Sequence, residues 1–343
     1  MQSIPAHKAL FFIFALLFLC YLLLSVARNS TWRDGVTLWR DAAGKSPHKA
    51  RPHHNLGTAY KDEGDLREAV REFNRTLDIE PRYFLAHYNL GVVYKEQGLI
   101  EEAMDEYRRV IAMKPDFYNA YNNMGVVYRE RGQLDEAKRI YRHMIGLKPL
   151  HYLAYVNLGE LYLDAGELER ALVNLKRGVE LNPWNEVAFY NLGQTYFLMR
   201  RIDGAERAFR RAVDLKPEYG FAHAGMGQVL LTRGRLDQAM SAFRRAVELG
   251  VNDFATFYNM AVIHGGRGEW DEAVKGYRAA LRFEPDDCDA LHGEAAALDR
   301  GGHKDEARER YAGFIERCKS NAPFSAHIEE ARKRVRATGG EGS

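Results

Sequence analysis

Asn55, Asn89, Asn123, Asn157, Asn191 and Asn259 stand 34 residues apart, with one step doubled across Gly225 and the series ending at Gly293. A carboxamide donates and accepts hydrogen bonds at once, so a regular row of them suits the holding of an extended peptide backbone. Asparagine is unfavourable inside a helix, and its repetition asks for a reason. Two kinds stand open: a structural one, a hydrogen bond to the neighbouring repeat or mere inheritance with the unit's consensus, and a functional one, a ladder of amides offered to a ligand.

Residues fit for bond-making are missing from such arrangements. The chain has no nucleophile elbow, glycine-rich phosphate loop or HExxH motif. No cluster has metal-ligand spacing, and no enzyme activity, cofactor or metal is expected. His53 and His54 read as helix residues, one toward the packing and one toward a groove. The pairs Glu101-Glu102 and Asp135-Glu136 fall in first turns of helices, where carboxylates complement the helix dipole. Three cysteines, Cys20, Cys288 and Cys318, are too few for a disulfide-framed fold. Cys288 and Cys318 nevertheless fall at the first and thirty-first positions of one unit, which an antiparallel hairpin brings to the same end. Either they form a disulfide, which would persist only in an oxidising compartment, or they are two unrelated small apolar residues.

The elements that position these residues follow from the 34-residue period. Eight units run without insertion or deletion over 50–321: 50–83, 84–117, 118–151, 152–185, 186–219, 220–253, 254–287 and 288–321. Small residues recur at Gly57, Gly91, Gly125, Gly159, Gly193 and Gly227, then Ala261 and Ala295, and twelve positions on at Ala69 through Ala307 in every unit. Large ones, such as Phe73, Tyr107, Tyr141, Leu175 and Phe209, complement them. Glycines from Gly64 to Gly302 mark turns, and prolines from Pro81 to Pro285 end second helices. Arg200 stands where the fifth unit should have its turn glycine, which makes that turn the weakest expectation.

This pattern resembles the tetratricopeptide-repeat family over about four fifths of the chain. The resemblance implies an all-α fold, a right-handed superhelical solenoid of helix-turn-helix units, with first helices lining a concave groove and second helices the convex side. It further implies protein or peptide partners. The Asn series resembles the ladder of the superhelix in O-linked N-acetylglucosamine transferases. Lys61, Lys95 and Arg129 beside Asp62, Glu96 and Glu130 give the early units a charged face, whereas Leu163, Tyr190, Gln194, Phe197 and Leu231 give units four to six an apolar one. The expectation is that these side chains hold a ligand's apolar groups while the asparagines hold its backbone. The other reading is a solvated face with some exposed apolar residues. The carboxylate clamp of chaperone-binding relatives wants Lys and Asn where His54 and Thr58 stand, which disfavours chaperone tails. With 49 Lys and Arg against 47 Asp and Glu, the charge balance gives no reason to expect nucleic acid.

After a short tail, 1–8, residues 9–27 form an uncharged run rich in Leu and Phe, long enough for one transmembrane helix, which needs about 20 residues. It exceeds a signal peptide's apolar core, which favours an uncleaved anchor, although Ser25-Val26-Ala27 offers the small residues of a cleavage site. Residues 28–49 project as a half-unit, with a helix from about Thr31 to Lys45, and 322–343 as a closing helix, Ser325 to Arg336, with a loose tail. Arg28, Arg33, Arg40 and Lys45 follow the run and favour a cytoplasmic carboxyl side. The juncture Arg28-Asn29, Trp32, Leu38-Trp39, Ser46-Pro47 resembles that of polytopic O-mannosyltransferase-like membrane proteins with repeat tails, which implies instead a single-pass inner-membrane protein with its repeats on the periplasmic or luminal side. The leading expectation is a membrane-anchored scaffold. Its alternative is a detached accessory subunit that recognises substrate for a polytopic membrane glycosyltransferase.

Overall fold

A glycine at the eighth position of a unit is a space for a ring. In the computed structural model, which describes residues 14, 16–21, 32–319 and 322–337, a Cβ on Gly91 would lie 2.6 Å from Cε1 of Tyr107, and one on Gly193 would lie 2.6 Å from Cδ1 of Phe209. Both rings are fully buried, and each contributes about 1.5–3 kcal/mol by leaving water. In the seventh unit, where Ala261 replaces the glycine, the space is moved to the partner helix: a Cβ on Gly276 would come 2.8 Å from the Ala261 methyl.

Repetition of this packing gives antiparallel helix pairs, grouped in two compact bodies, residues 1–149 and 150–343. The first contains α1 (Gly35–Lys45), α2 (Ala50–Asp62), α3 (Leu66–Ile79), α4 (Phe84–Glu96), α5 (Ile100–Met113), α6 (Tyr118–Glu130) and α7 (Leu134–Leu147). The second contains α8 (Tyr152–Asp164), α9 (Leu168–Leu181), α10 (Glu186–Leu198), α11 (Ile202–Leu215), α12 (Gly220–Thr232), α13 (Leu236–Glu248), α14 (Phe254–Gly266), α15 (Trp270–Ala280), α16 (Cys288–Arg300), α17 (Lys304–Cys318) and α18 (Ser325–Ala337). Among the described residues every regular element is a helix.

Local chemistry sets the boundaries. Asp34 caps α1, its carboxylate accepting from Thr37 N at 2.7 Å while Thr37 Oγ1 accepts from Asp34 N, a capping box that starts the helix at Gly35. Between α2 and α3, Gly64 takes φ 84°, and its N–H and that of Asp65 bond back to Lys61 O and Tyr60 O. The fifth unit makes the same turn without glycine. Arg200 adopts φ 59°, with the same two bonds from Arg200 N and Arg201 N to Phe197 O and Tyr196 O. A non-glycine residue holds that left-handed conformation at a cost of about 1 kcal/mol or more, so the surrounding pair packing imposes the turn.

At the end of the second body, Cys288 and Cys318 are joined in a disulfide with Cα atoms 6.0 Å apart. α18 then covers α17, burying Ile328 and Ala331 in the same cluster as Phe314 and Cys318. Of the expected membrane helix 9–27, only 14 and 16–21 are described, helical and exposed; the remainder, with 1–8 and 338–343, lies outside the described residues. Among those described, no helix is long and apolar enough to cross a membrane.

Candidate partner-binding surface

In the first body, the amide row is tied to neighbouring repeats. Asn89 Nδ2 donates to His54 Nε2 at 3.0 Å, and His54 Nδ1 donates to Asn55 Oδ1 at 3.3 Å. A neutral imidazole satisfies both, and burial pushes the His54 pKa below its ordinary value, which keeps the ring neutral. Asn123 Nδ2 reaches the hydroxyls of Tyr88 at 3.4 Å and Tyr107 at 3.3 Å. One of His53 and His54 is expected toward a groove, but both are buried, His54 beneath Tyr83 at 5.0 Å between ring centroids. The cations are likewise engaged: Lys95 pairs with Glu130 of the next unit at 3.0 Å, and Lys61 with Asp62 at 3.3 Å.

His53 and His87 hold the helices together by a device not seen in the sequence. Each bonds a second-helix carboxylate, His53 to Glu72 at 2.6 Å and His87 to Glu106 at 2.5 Å, and each turns its other nitrogen to a proline carbonyl, Pro47 or Pro81. The Glu106 carboxylate raises the His87 pKa against the opposing effect of burial. The signal was present as a histidine followed nineteen residues later by glutamate. Inter-repeat staples were also missed: Arg131–Glu101, Arg233–Asp203 and Arg267–Asp237 all share a separation of thirty residues.

In the second body, Asn157 and Asn259 are half-buried, but Asn191 is only 5% exposed, and its Nδ2 has no hydrogen-bond partner. That rung differs from the sequence expectation: its amide is closed in by packing and is not presented at the surface. The gaps in the row have a physical cause. A Cβ on Gly225 would lie 2.5 Å from Phe209 Cε1, and one on Gly293 would lie 2.5 Å from Tyr277 Cζ, so the ring of the preceding unit fills the place of a side chain.

Leu163, Tyr190, Gln194, Phe197 and Leu231 are all half-buried. Tyr190 and Phe197 lean on the core of Ala205, Phe209 and Val229, and Leu231 leans on Leu230 and Phe243. Gln194 donates to the Tyr190 hydroxyl, whose pKa burial pushes up to about 12. Tyr219 and Phe221, not anticipated from the sequence, complete the surface. Tyr190 stands 5.4 Å from Tyr219 and 6.1 Å from Phe221 between ring centroids, with Tyr219 and Phe221 6.2 Å apart. Phe221 is 49% exposed. An aromatic residue just before a first helix recurs as Tyr83, Phe117 and Tyr219, facing His54, Tyr88 and Tyr190 respectively; that spacing would have disclosed it. No group of His, Cys, Asp and Glu among the described residues could hold a metal ion.

Comparison with known proteins agrees with this architecture. A profile described as the C-terminal domain of cilia and flagella-associated protein 70 matches 117–334, and one described as a TPR repeat matches 57–98 and 94–132. No curated protein matches the chain. Among solved structures, the APC/C hetero-tetramer Cut9-Hcn1 aligns with a TM-score of 0.62 at 18% identity over 77% of this chain and 52% of that one. The chain thus spans about half the length of that structure. Pseudomonas aeruginosa pilF aligns at 0.56, 20% identical over 63% and 96%. A tetratricopeptide repeat protein from Parabacteroides merdae aligns at 0.54, 18% identical over 68% and 93%. At these identities the likeness is one of fold.

Proposed function

Because the chain belongs to the tetratricopeptide-repeat family, we propose that it is a binding scaffold, doing no chemistry of its own, that holds a protein or peptide partner along the faces of its first helices. The observation that carries the proposal is the apolar first-helix face of the second body, where Val187, Leu198, Phe221 and Val262 are exposed beside half-buried Tyr190 and Phe197. Exposed apolar patches of this kind mark sites of association. In the first body Asn89 and Asn123 bond to neighbouring units, and the carboxamides of the half-buried rungs are the ones that would meet a ligand backbone.

The test is partner capture by two variants. One replaces Asn123, Asn157 and Asn191 by Ala, and the other is Phe221→Ala. Loss of capture by Phe221→Ala with an unchanged circular-dichroism spectrum is the expected result. Undiminished capture by both, with folding intact, would sink the proposal.

Attachment to a membrane is supported by the uncharged run 9–27, and an oxidising periplasmic or luminal side by the Cys288–Cys318 bond. Accessibility of the repeats to protease in sealed vesicles tests that placement. Association with a polytopic glycosyltransferase rests on the juncture residues from Arg28 to Pro47 alone, and co-purification in mild detergent with a recurrent multi-span partner is what would establish it.

A further inference from the structure

Around the turns between first and second helices the early units are acidic, as at Asp62, Glu63 and Asp65 or at Glu96, Glu101 and Glu102. The fifth unit reverses this through three changes at one place. Arg200 occupies the left-handed position that the seven other turns give to glycine. Arg201 stands at the N-cap of α11, where the first, fourth and seventh units have Asp65, Glu167 and Glu269. Gly204 stands where five units have glutamate, as Glu68, Glu102, Glu136, Glu272 and Glu306. An arginine is held left-handed where glycine would sit without strain, so what position 200 gains is the side chain.

The third change leaves a cation without its usual partner. Glu68, Glu136 and Glu272 pair with Arg71, Arg139 and Lys275, three residues further along their helices, at 2.8, 2.8 and 2.6 Å. Arg207 holds the matching position of the fifth unit, with Gly204 three residues before it. Among the described residues no carboxylate pairs with Arg200, Arg201 or Arg207, and all three are exposed. The acids that remain nearby are engaged, since Arg233 pairs with both Asp203 and Glu206, the latter at 2.9 Å. With half-buried Tyr196 and Ile202 the three arginines line a cavity of about 440 Å³. Gly204 lets the Tyr196 ring settle against α11 as its floor, because a Cβ there would lie 2.9 Å from Cγ of the ring. In the next unit Arg235 is again an N-cap arginine, exposed and without an acid partner among the described residues.

We propose that this turn surface docks an acidic segment of a partner protein, a stretch with at least two Asp or Glu residues, one carboxylate seated among Arg200, Arg201 and Arg207 and a second reaching Arg235. Guanidinium groups present planar forks that match carboxylates, and Tyr196 and Ile202 beneath them seat the apolar atoms of the same segment. Asp203, on the rim of the cavity, repels a doubly charged phosphate more than a single carboxylate. The surface belongs to the turns and is separate from the first-helix face described above, so the two can be occupied and tested apart.

The full chain, immobilised in mild detergent, is panned with random dodecapeptides on phage in parallel with a variant carrying Arg200→Gly, Arg201→Glu and Arg207→Gln. The first change restores the glycine of the other turns and the second the acid found at Glu167 and Glu269, so the variant keeps its fold, which circular dichroism verifies. Peptides with two or more Asp or Glu should be enriched by the natural chain and not by the variant. In fluorescence anisotropy the best of them should bind the variant at least tenfold more weakly and should lose affinity as salt rises. Arg71→Gln with Arg139→Gln, which removes two exposed charges elsewhere, should leave that binding unchanged. Absence of acidic peptides from the enriched set, equal affinity of natural chain and variant, or equal weakening by the two control substitutions overturns the proposal. Complete displacement of the peptide by millimolar inorganic pyrophosphate at constant ionic strength would give the cavity to a phosphate ligand, and self-association of the natural chain that the variant lacks would give it to a second copy; either overturns it too.

Discussion

Reduction of the Cys288–Cys318 bond should loosen the last hairpin without melting the rest of the second body. A sequence separation of 30 closes a loop whose lost chain entropy corresponds to about 3.6 kcal/mol at 25 °C on the loop-entropy relation. The bond lies where that constraint matters. Cys318 is fully buried with Phe314, against which Phe324 packs, and with Ile328 and Ala331 of α18, so opening of the hairpin would release the closing helix as well. Repeat proteins open locally at their ends, and amide hydrogen exchange resolved by segment is therefore the right assay. Protection in α16, α17 and α18 should fall by up to about 400-fold on reduction or in the double variant Cys288→Ala, Cys318→Ala, the equivalent of that free energy. Protection in α8 to α11 should stay unchanged. If exchange in the last three helices were unaltered with both thiols shown to be free, the bond would not be the constraint described. Thiol counting on oxidised, denatured protein gives the prior check, with only Cys20 expected to react.

Three further outcomes follow from the packing and the charges. Gly91→Ala should destabilise the first body by about 1–3 kcal/mol because its methyl must displace buried Tyr107, whereas Gly146→Ala, with no atom near, should be neutral or stabilise by up to about 1 kcal/mol; urea midpoints compare them. The raised pKa of His87 means that its pairing with Glu106 contributes fully below the unfolded histidine value of about 6.5 and is lost as pH rises through the folded value. Stability of the first body should therefore fall between mildly acid and alkaline pH, and His87→Gln should flatten that dependence in urea titrations across the range. Glu294, only 1% exposed, stands where other units have leucine or methionine and is held by Arg278 at 2.7 Å and Arg310 at 3.3 Å. Glu294→Leu should be neutral or stabilise by about 1–4 kcal/mol, while Glu294→Ala should destabilise, as read by thermal unfolding.

The helix pairs were legible because their determinants are local and repeated. Gly91 and Tyr107 lie sixteen residues apart within one unit, so the complement of small and large side chains shows in one sequence. Contacts between units were harder to read. Whether Asn123 faces solvent or the Tyr88 hydroxyl depends on how the next pair is seated, and neither residue's type settles it. Asn191 shows the same difficulty, since burial of its amide depends on its three-dimensional surroundings. Tyr219 escaped notice because it precedes its helix and so lies outside the amphipathic period that marks core positions. The gap at Gly225 was visible as a missing amide, but only the approach of Phe209 shows that the position is filled rather than empty.

The central claim, that partners are held on the first helices, is tested most directly by site-specific photo-crosslinking in cells that express the protein. Benzoylphenylalanine placed at Phe221, on the proposed face, is compared with the same group at Val173, which is 68% exposed on second helix α9. The account predicts discrete partner adducts from position 221 and none from 173. Adducts arising from 173 while 221 remains silent would contradict it.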